Sequence, residues 1–331
     1  MKTILLVFSC SLLLLSCGDS KPTKVLPKDL DSLITLYPDS LELLVKRGNN
    51  FIKTYKYDKA MADGAKAFRL DSANADARLL FADALNNRPE RSQQDIAAAQ
   101  RHYKYLLKKQ PKNTKVLVGL ASTYSQQMDF DRSFQYINQA LKINPRYRDA
   151  YVMKGSNYLF LNKPDLAKSS YETAVQQDPS FYEAYLMLGS IYQAENNVIC
   201  IEYYKTAAQL RPKDPDVLFS LAYAQQVFNK PDEALYTYRK MIQIDTAYHQ
   251  ALNQIGVIKQ HNYNQIDSAI YFYNSAITTE PTFVEAYHNL GTCYETKGDL
   301  TRALQSYAKA LKYDPNFKLS RDRADKLKYA R

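Results

Sequence analysis

Residues 284–317 read VEAYHNLGTCYETKGDLTRALQSYAKALKYDPNF, and this stretch decides the fold. Its spacing is Tyr287-x2-Leu290-Gly291-x2-Tyr294, then Ala303-x3-Tyr307, then Ala310 and Pro315. Gly291 and Ala303 are small, as two helices crossing closely require. Leu290, Tyr294 and Tyr307 are large enough to fill the space between them. Pro315 stops the second helix, because proline lacks an N–H and clashes with the preceding turn.

The same spacing recurs backwards along the chain. Residues 249–283 carry Gly256, Ala269, Tyr273, Ala276 and Pro281, with one extra residue near Asn262. Residues 215–248 carry Leu221, Ala222, Ala234 and Tyr238, with Thr246 in the proline position. Residues 182–214 carry Tyr185, Leu188, Gly189, Tyr192, Tyr204, Ala207 and Pro212; this copy is one residue short, and Cys200 takes a small-residue position. Residues 148–181 carry Tyr151, Gly155, Tyr158, Ala167, Tyr171, Ala174 and Pro179. Residues 114–147 carry Leu117, Leu120, Ala121, Tyr124, Ala140 and Pro145. Residues 75–113 carry Ala82, Ala99, Tyr103 and Pro111, with five extra residues in the turn around 87–94. Residues 41–74 carry Leu44, Gly48, Phe51, Ala60 and Ala67, with Ser72 for proline.

The pattern resembles the tetratricopeptide repeat (TPR), with tyrosine replacing the tryptophan and phenylalanine of its signature. The resemblance spans 41–317 and implies an all-α, right-handed α-solenoid of about eight helix-turn-helix repeats with terminal capping helices. Asp29–Tyr37 before Pro38 reads as the tail of an N-terminal half-repeat within 17–40. Residues 318–331 read as a basic capping helix with Leu319, Leu327 and Ala330 near one face, as solenoid ends require for solubility. The 28 tyrosines and absent tryptophan follow: most tyrosines stand at repeat positions between helices, keeping a hydroxyl for the wet edge.

Residues 1–16 stand apart. Lys2 precedes an apolar run, Ile4 to Leu15, too short to span a membrane. Leu14-Leu15-Ser16-Cys17 followed by Gly18-Asp19 resembles the lipobox of bacterial lipoproteins. That resemblance implies a cleaved signal peptide and a lipid on Cys17, whose several acyl chains anchor stably. With Gly18 where a retention aspartate would stand, it implies the outer membrane, periplasmic face. After cleavage 43 basic residues face 34 acidic ones, and acidic partners or anionic headgroups suit the excess. Residues 318–331 hold six of those bases against two aspartates. Cys200 and Cys293 lie three repeats apart, beyond the reach of a disulfide, and read as small buried residues.

In TPR proteins the first helix of each repeat lines a concave groove. Its fifth and ninth positions here are Val45 and Asn49, Leu79 and Asp83, Val118 and Ser122, Val152 and Ser156, Leu186 and Ser190, Phe219 and Tyr223, Asn253 and Val257, and His288 and Thr292. Aliphatic–serine pairs in the central repeats leave room for an extended peptide or a helix. Position five is never the lysine of the chaperone-tail clamp, so that ligand is not expected. The long turn with Arg88 and Arg91 is a second candidate surface.

No catalytic or metal-binding motif emerges: the four histidines lack paired spacing, and there is no nucleophile elbow, phosphate loop or C-x-x-C. The expected function is a membrane-anchored scaffold or adaptor of the bacterial cell envelope. It binds other envelope proteins, with no enzyme activity, cofactor, nucleic acid or small-molecule substrate. The alternative is a glycan- or polymer-binding lipoprotein.

Overall fold

The computed structural model describes residues 29–329. Cys17, the N-terminal apolar run and Ala330 lie outside the described residues. Among the described residues there are eighteen α-helices and no strand. None of these helices is long and apolar enough to cross a membrane. The chain divides between Leu106 and Leu107 into two compact units.

The first unit holds α1 (Leu30–Leu36), α2 (Leu41–Lys53), α3 (Tyr57–Leu70), α4 (Ala75–Asn87) and most of α5 (Gln93–Lys109). The second pairs α6 (Thr114–Gln126) with α7 (Phe130–Ile143), α8 (Arg148–Phe160) with α9 (Pro164–Gln177), and α10 (Tyr182–Ala194) with α11 (Cys200–Leu210). It continues with α12 (Pro215–Val227) and α13 (Pro231–Ile244), α14 (His249–His261) and α15 (Ile266–Thr279), and α16 (Val284–Thr296) and α17 (Leu300–Tyr313). α18 (Lys318–Tyr329) closes it. Each unit is thus a stack of helical hairpins, the α-solenoid arrangement.

The hairpin turns share one chemistry. Met128, Asn162, Asn196, Asn229, Asn264 and Gly298 all adopt positive φ, the left-handed step that ends a helix. The following N–H then reaches back to a carbonyl near the end of the first helix, as Lys163 does to Tyr158 (2.8 Å) and Asp299 to Tyr294 (2.9 Å). Asparagine and glycine tolerate that φ; Met128 does so against its steric preference.

Close packing inside the hairpins rests on a repeated pair. A Cβ placed on Gly155 would stand 2.9 Å from the Tyr171 ring, and one on Gly189 2.7 Å from Tyr204. For Gly256 against Tyr273 the distance is 2.6 Å, and for Gly291 against Tyr307 it is 2.5 Å. All four rings are buried. The first helix must therefore lack a side chain where the second presents its ring.

Three expectations change in detail. The extra residues of 75–113 do not all fall in the turn, since α5 runs to 17 residues where α3 has 14. Arg88 in that turn bonds Asp58 at 2.9 Å and faces Asp95 at 3.8 Å, while Arg91 donates to the Arg88 carbonyl at 2.8 Å. Arg88 is thus held within its own unit and is not a free arginine, while Pro89, Glu90 and Ser92 around it are exposed. In α18 the inward face is Ser320, Ala324 and Leu327, whereas Leu319 is 60% exposed. The inward set occupies the positions that Ala286, Leu290 and Cys293 fill in α16. One shortened copy also has a visible cause. α11 has 11 residues where α13 has 14, and its entry is a tight turn in which Cys200 N–H bonds the Asn197 carbonyl at 3.2 Å.

His102 is half-buried within the first unit. Its ring packs on Phe68 (4.9 Å) and Phe81 (5.3 Å), and Nδ1 faces the Arg78 guanidinium at 3.3 Å. Burial, with the charges of Arg78 and Arg101, pushes its pKa down to about 4. The fold therefore holds the neutral imidazole, whose Nδ1 can accept from Arg78.

Replacing Gly189 by Leu overpacks the Tyr204 ring and should destabilise the hairpin by a few kcal/mol; an unshifted urea midpoint would refute the contact. A depressed base stabilises the fold above its unfolded pKa, near 6.5. Up to about 3 kcal/mol should be lost as pH falls from there toward 4. His102→Gln should remove that part of the pH dependence, read as melting temperature at each pH.

Candidate functional site

In the second unit side-chain hydrogen bonds tie the first helix α6 to α8, and α12 through α14 and α16 to α18. Ser125 donates to Asn157 (2.6 Å) from α6 to α8, and Gln226 donates to Gln254 (3.1 Å) from α12 to α14. Gln260 donates to Thr292 (3.0 Å) and Asn289 to Asn253 (3.1 Å) between α14 and α16. His288 Nδ1 meets Ser320 Oγ (3.0 Å) between α16 and α18.

The buried tyrosines feed this ladder from behind. Tyr204 donates to Gln193 (2.9 Å), Tyr238 to Gln226 (3.2 Å) and Tyr273 to Gln260 (2.8 Å). The phenols stay protonated at neutral pH: burial raises the pKa of Tyr204 to about 12 and drives those of Tyr238 and Tyr273 further up. The glutamines went unremarked in the sequence. Their spacing, three residues after the ninth position in α10, α12 and α14, was the available signal.

This ladder separates the candidate residues. Asn253 is 4% exposed and accepts from Asn289, so it serves the stack and not a ligand; Asp83 is likewise buried, accepting from Tyr103 at 2.8 Å. Ser156 bonds the Val152 carbonyl (3.1 Å) and the Tyr171 hydroxyl (3.0 Å). Ser122 takes a long contact from Gln126 (3.4 Å). Val118 is buried, and Val45, Val152, Leu186 and Val257 are half-buried packing residues of neighbouring clusters. Asn49 and Leu79, in the first unit, are half-buried. Ser190 is exposed.

His288 sits between the rings of Tyr307 and Phe317, each 5.6 Å away. Burial and the charge of Arg323 lower its pKa. With Thr292 it lines a polar notch of about 450 Å³ shared with Gln260, Asn289 and Arg323. Neither this notch nor any group of three or more His, Cys, Asp or Glu among the described residues offers a metal site.

Phe219 and Tyr223 behave differently. Their rings lie parallel, 6.2 Å apart, on α12. Phe219 meets the buried Tyr238 edge-on at 5.8 Å, so its inner side belongs to the core. Tyr223 is 41% exposed. Beside Phe219 opens a cavity of about 350 Å³, lined by Pro215, Asp216, Phe219, Ser220, Met241, Tyr248 and Gln250. Here an apolar floor is open to solvent on the first-helix face.

The tetratricopeptide repeat family matches at residues 90–148, 149–181 and 284–317. The chain contains tetratricopeptide repeats. No curated protein matches the sequence. Among solved structures, the C-terminal part of a TPR repeat-containing protein from Cytophaga hutchinsonii is 18% identical, with TM-score 0.60, covering 73% of this chain and 97% of that one. A human IFIT1 dimer with m7Gppp-AAAA is 16% identical, with TM-score 0.55, covering 86% and 76%. At these identities the likeness extends to the TPR fold.

Gln226→Ala removes the acceptor of a buried phenol and the link from α12 to α14. It should cost about 1–3 kcal/mol in urea unfolding. A variant as stable as wild type would mean the ladder carries no energy.

Proposed function

We propose that this chain is a membrane-held, protein-binding scaffold of the bacterial cell envelope. It receives a peptide or helix of its partner on the first-helix face around α12. The observation that carries the reading is the exposed Tyr223 ring stacked beside Phe219, next to an open apolar cavity. The tyrosines that stand against the hairpin glycines are buried between helices, as Tyr171 and Tyr273 are, whereas Tyr223 on the first-helix face keeps 41% of its surface open. An aromatic pair that the fold leaves uncovered at a cavity has the character of a contact anchor. Ser190 and Met187 on the preceding first helix are exposed as well and extend the surface toward α10.

The anchor rests on Cys17 and the lipobox-like residues before it. Partners are then other envelope proteins at the periplasmic face of the outer membrane. A scaffold role needs no cofactor and no turnover. It needs a rigid face, which the hydrogen-bonded first helices supply.

Cys17→Ala should move the protein from the membrane fraction to the soluble fraction, read by immunoblot. Its retention in membranes would refute the anchor. Crosslinking in cells followed by pull-down should recover partner proteins that Tyr223→Ala loses. The same partners at the same yield from that variant would refute the α12 site. Tyr223 is the informative residue because Phe219→Ala would also disturb the Tyr238 contact.

A further inference from the structure

We infer that the cavity at the start of α12 is a subsite for a lysine or arginine side chain of the partner polypeptide; this rests on the α12 face being the binding surface. The chain carries ten more basic than acidic residues, so an acidic locus runs against its average. Yet the carboxylates around this cavity are Asp214, Asp216 and Asp245. All three act on Tyr248, whose pKa is raised by burial and then by the negative fields of Asp245, Asp216 and Asp214.

Two of the three have partners. Asp214 caps α12, accepting from the Asp216 and Val217 N–H groups at 3.1 and 3.4 Å. Asp245 accepts from the Ala247 N–H at 2.8 Å and caps the C-terminal end of α13. The Asp216 carboxylate makes no hydrogen bond or ion pair among the described residues, and the residue is exposed at the cavity mouth.

The nearby bases do not neutralise it. The Arg211 guanidinium lies over the Tyr182 ring at 4.5 Å. Lys213 is exposed in the same turn and forms no ion pair among the described residues. Lys240 is half-buried on α13.

The shape fits a long basic side chain. Phe219, Met241 and Tyr248 give an apolar floor for a methylene stem. The aromatic faces and Asp216 meet the cationic head at the mouth. An acidic or short polar side chain would face like charge, or leave the floor wet. The apolar residue flanking the base would lie on Tyr223.

The test is selection of a random dodecapeptide display library on the full-length chain in detergent. The strongest peptide is then measured by fluorescence anisotropy, beside its counterpart with glutamine for the basic residue. Wild type should enrich peptides with lysine or arginine next to an apolar residue, and the glutamine counterpart should bind about tenfold more weakly. Asp216→Lys should abolish that preference and enrich glutamate instead, with at most a small fall in melting temperature, because Asp216 stands in the first turn of α12. Tyr223→Ala should weaken every selected peptide. Enrichment of apolar peptides without a basic residue, or an unchanged preference in Asp216→Lys, would overturn the subsite while leaving the α12 face intact. No enrichment on wild type would overturn both.

Discussion

A tyrosine ring pressed against a glycine is the contact on which this structure depends. In four hairpins the second helix presents a phenol where the first has no side chain, with 2.5 to 2.9 Å between the ring and the missing Cβ. The ring supplies large apolar burial, and the absent methyl sets how closely the helices approach. Phenylalanine would satisfy that packing equally well. Tyrosine adds the hydroxyl, which in two of these hairpins reaches an amide on the first helix, Tyr204 to Gln193 and Tyr273 to Gln260, and in a third meets Ser156 from Tyr171. One side chain thus fixes the interhelical spacing and orients the polar groups of the opposite face.

Function follows from what that orientation uses up. Serines that look like open space in the sequence are satisfied locally: Ser156 bonds both its own helix and Tyr171. Asparagines and glutamines are spent between neighbouring first helices. The face is therefore rigid and largely self-satisfied, with few groups awaiting a ligand. The α12 region combines three features on that face: a half-exposed aromatic pair, a cavity, and a carboxylate with no side-chain partner among the described residues. The basic excess at the C-terminus lies elsewhere, on the outer surface of α18, where Lys318, Arg321, Lys326 and Lys328 are exposed.

The all-α repeat class was legible because the decisive contact is local. Gly291 and Tyr307 are sixteen residues apart, as are Gly155 and Tyr171, so each hairpin advertises itself within one repeat. The face was less legible because exposure there is decided by the next repeat. Asn253 holds a groove position by count, but Asn289, thirty-six residues on, covers it. Arg88 and Arg91 looked like an outward-facing insertion, yet Asp58, from an earlier helix, captures Arg88. Leu319 was assigned to the inner face of α18 on apolarity alone; small Ser320 and Ala324 take that side because α18 packs close against α17.

The most direct measurement places a photo-crosslinking amino acid at Tyr223 in cells and, separately, at Tyr236. Tyr236 is 74% exposed on α13, a second helix of its hairpin. A scaffold that binds through its first-helix face gives a discrete protein adduct from position 223 and none from 236. Adducts from 236 alone, or none from either position, would contradict it.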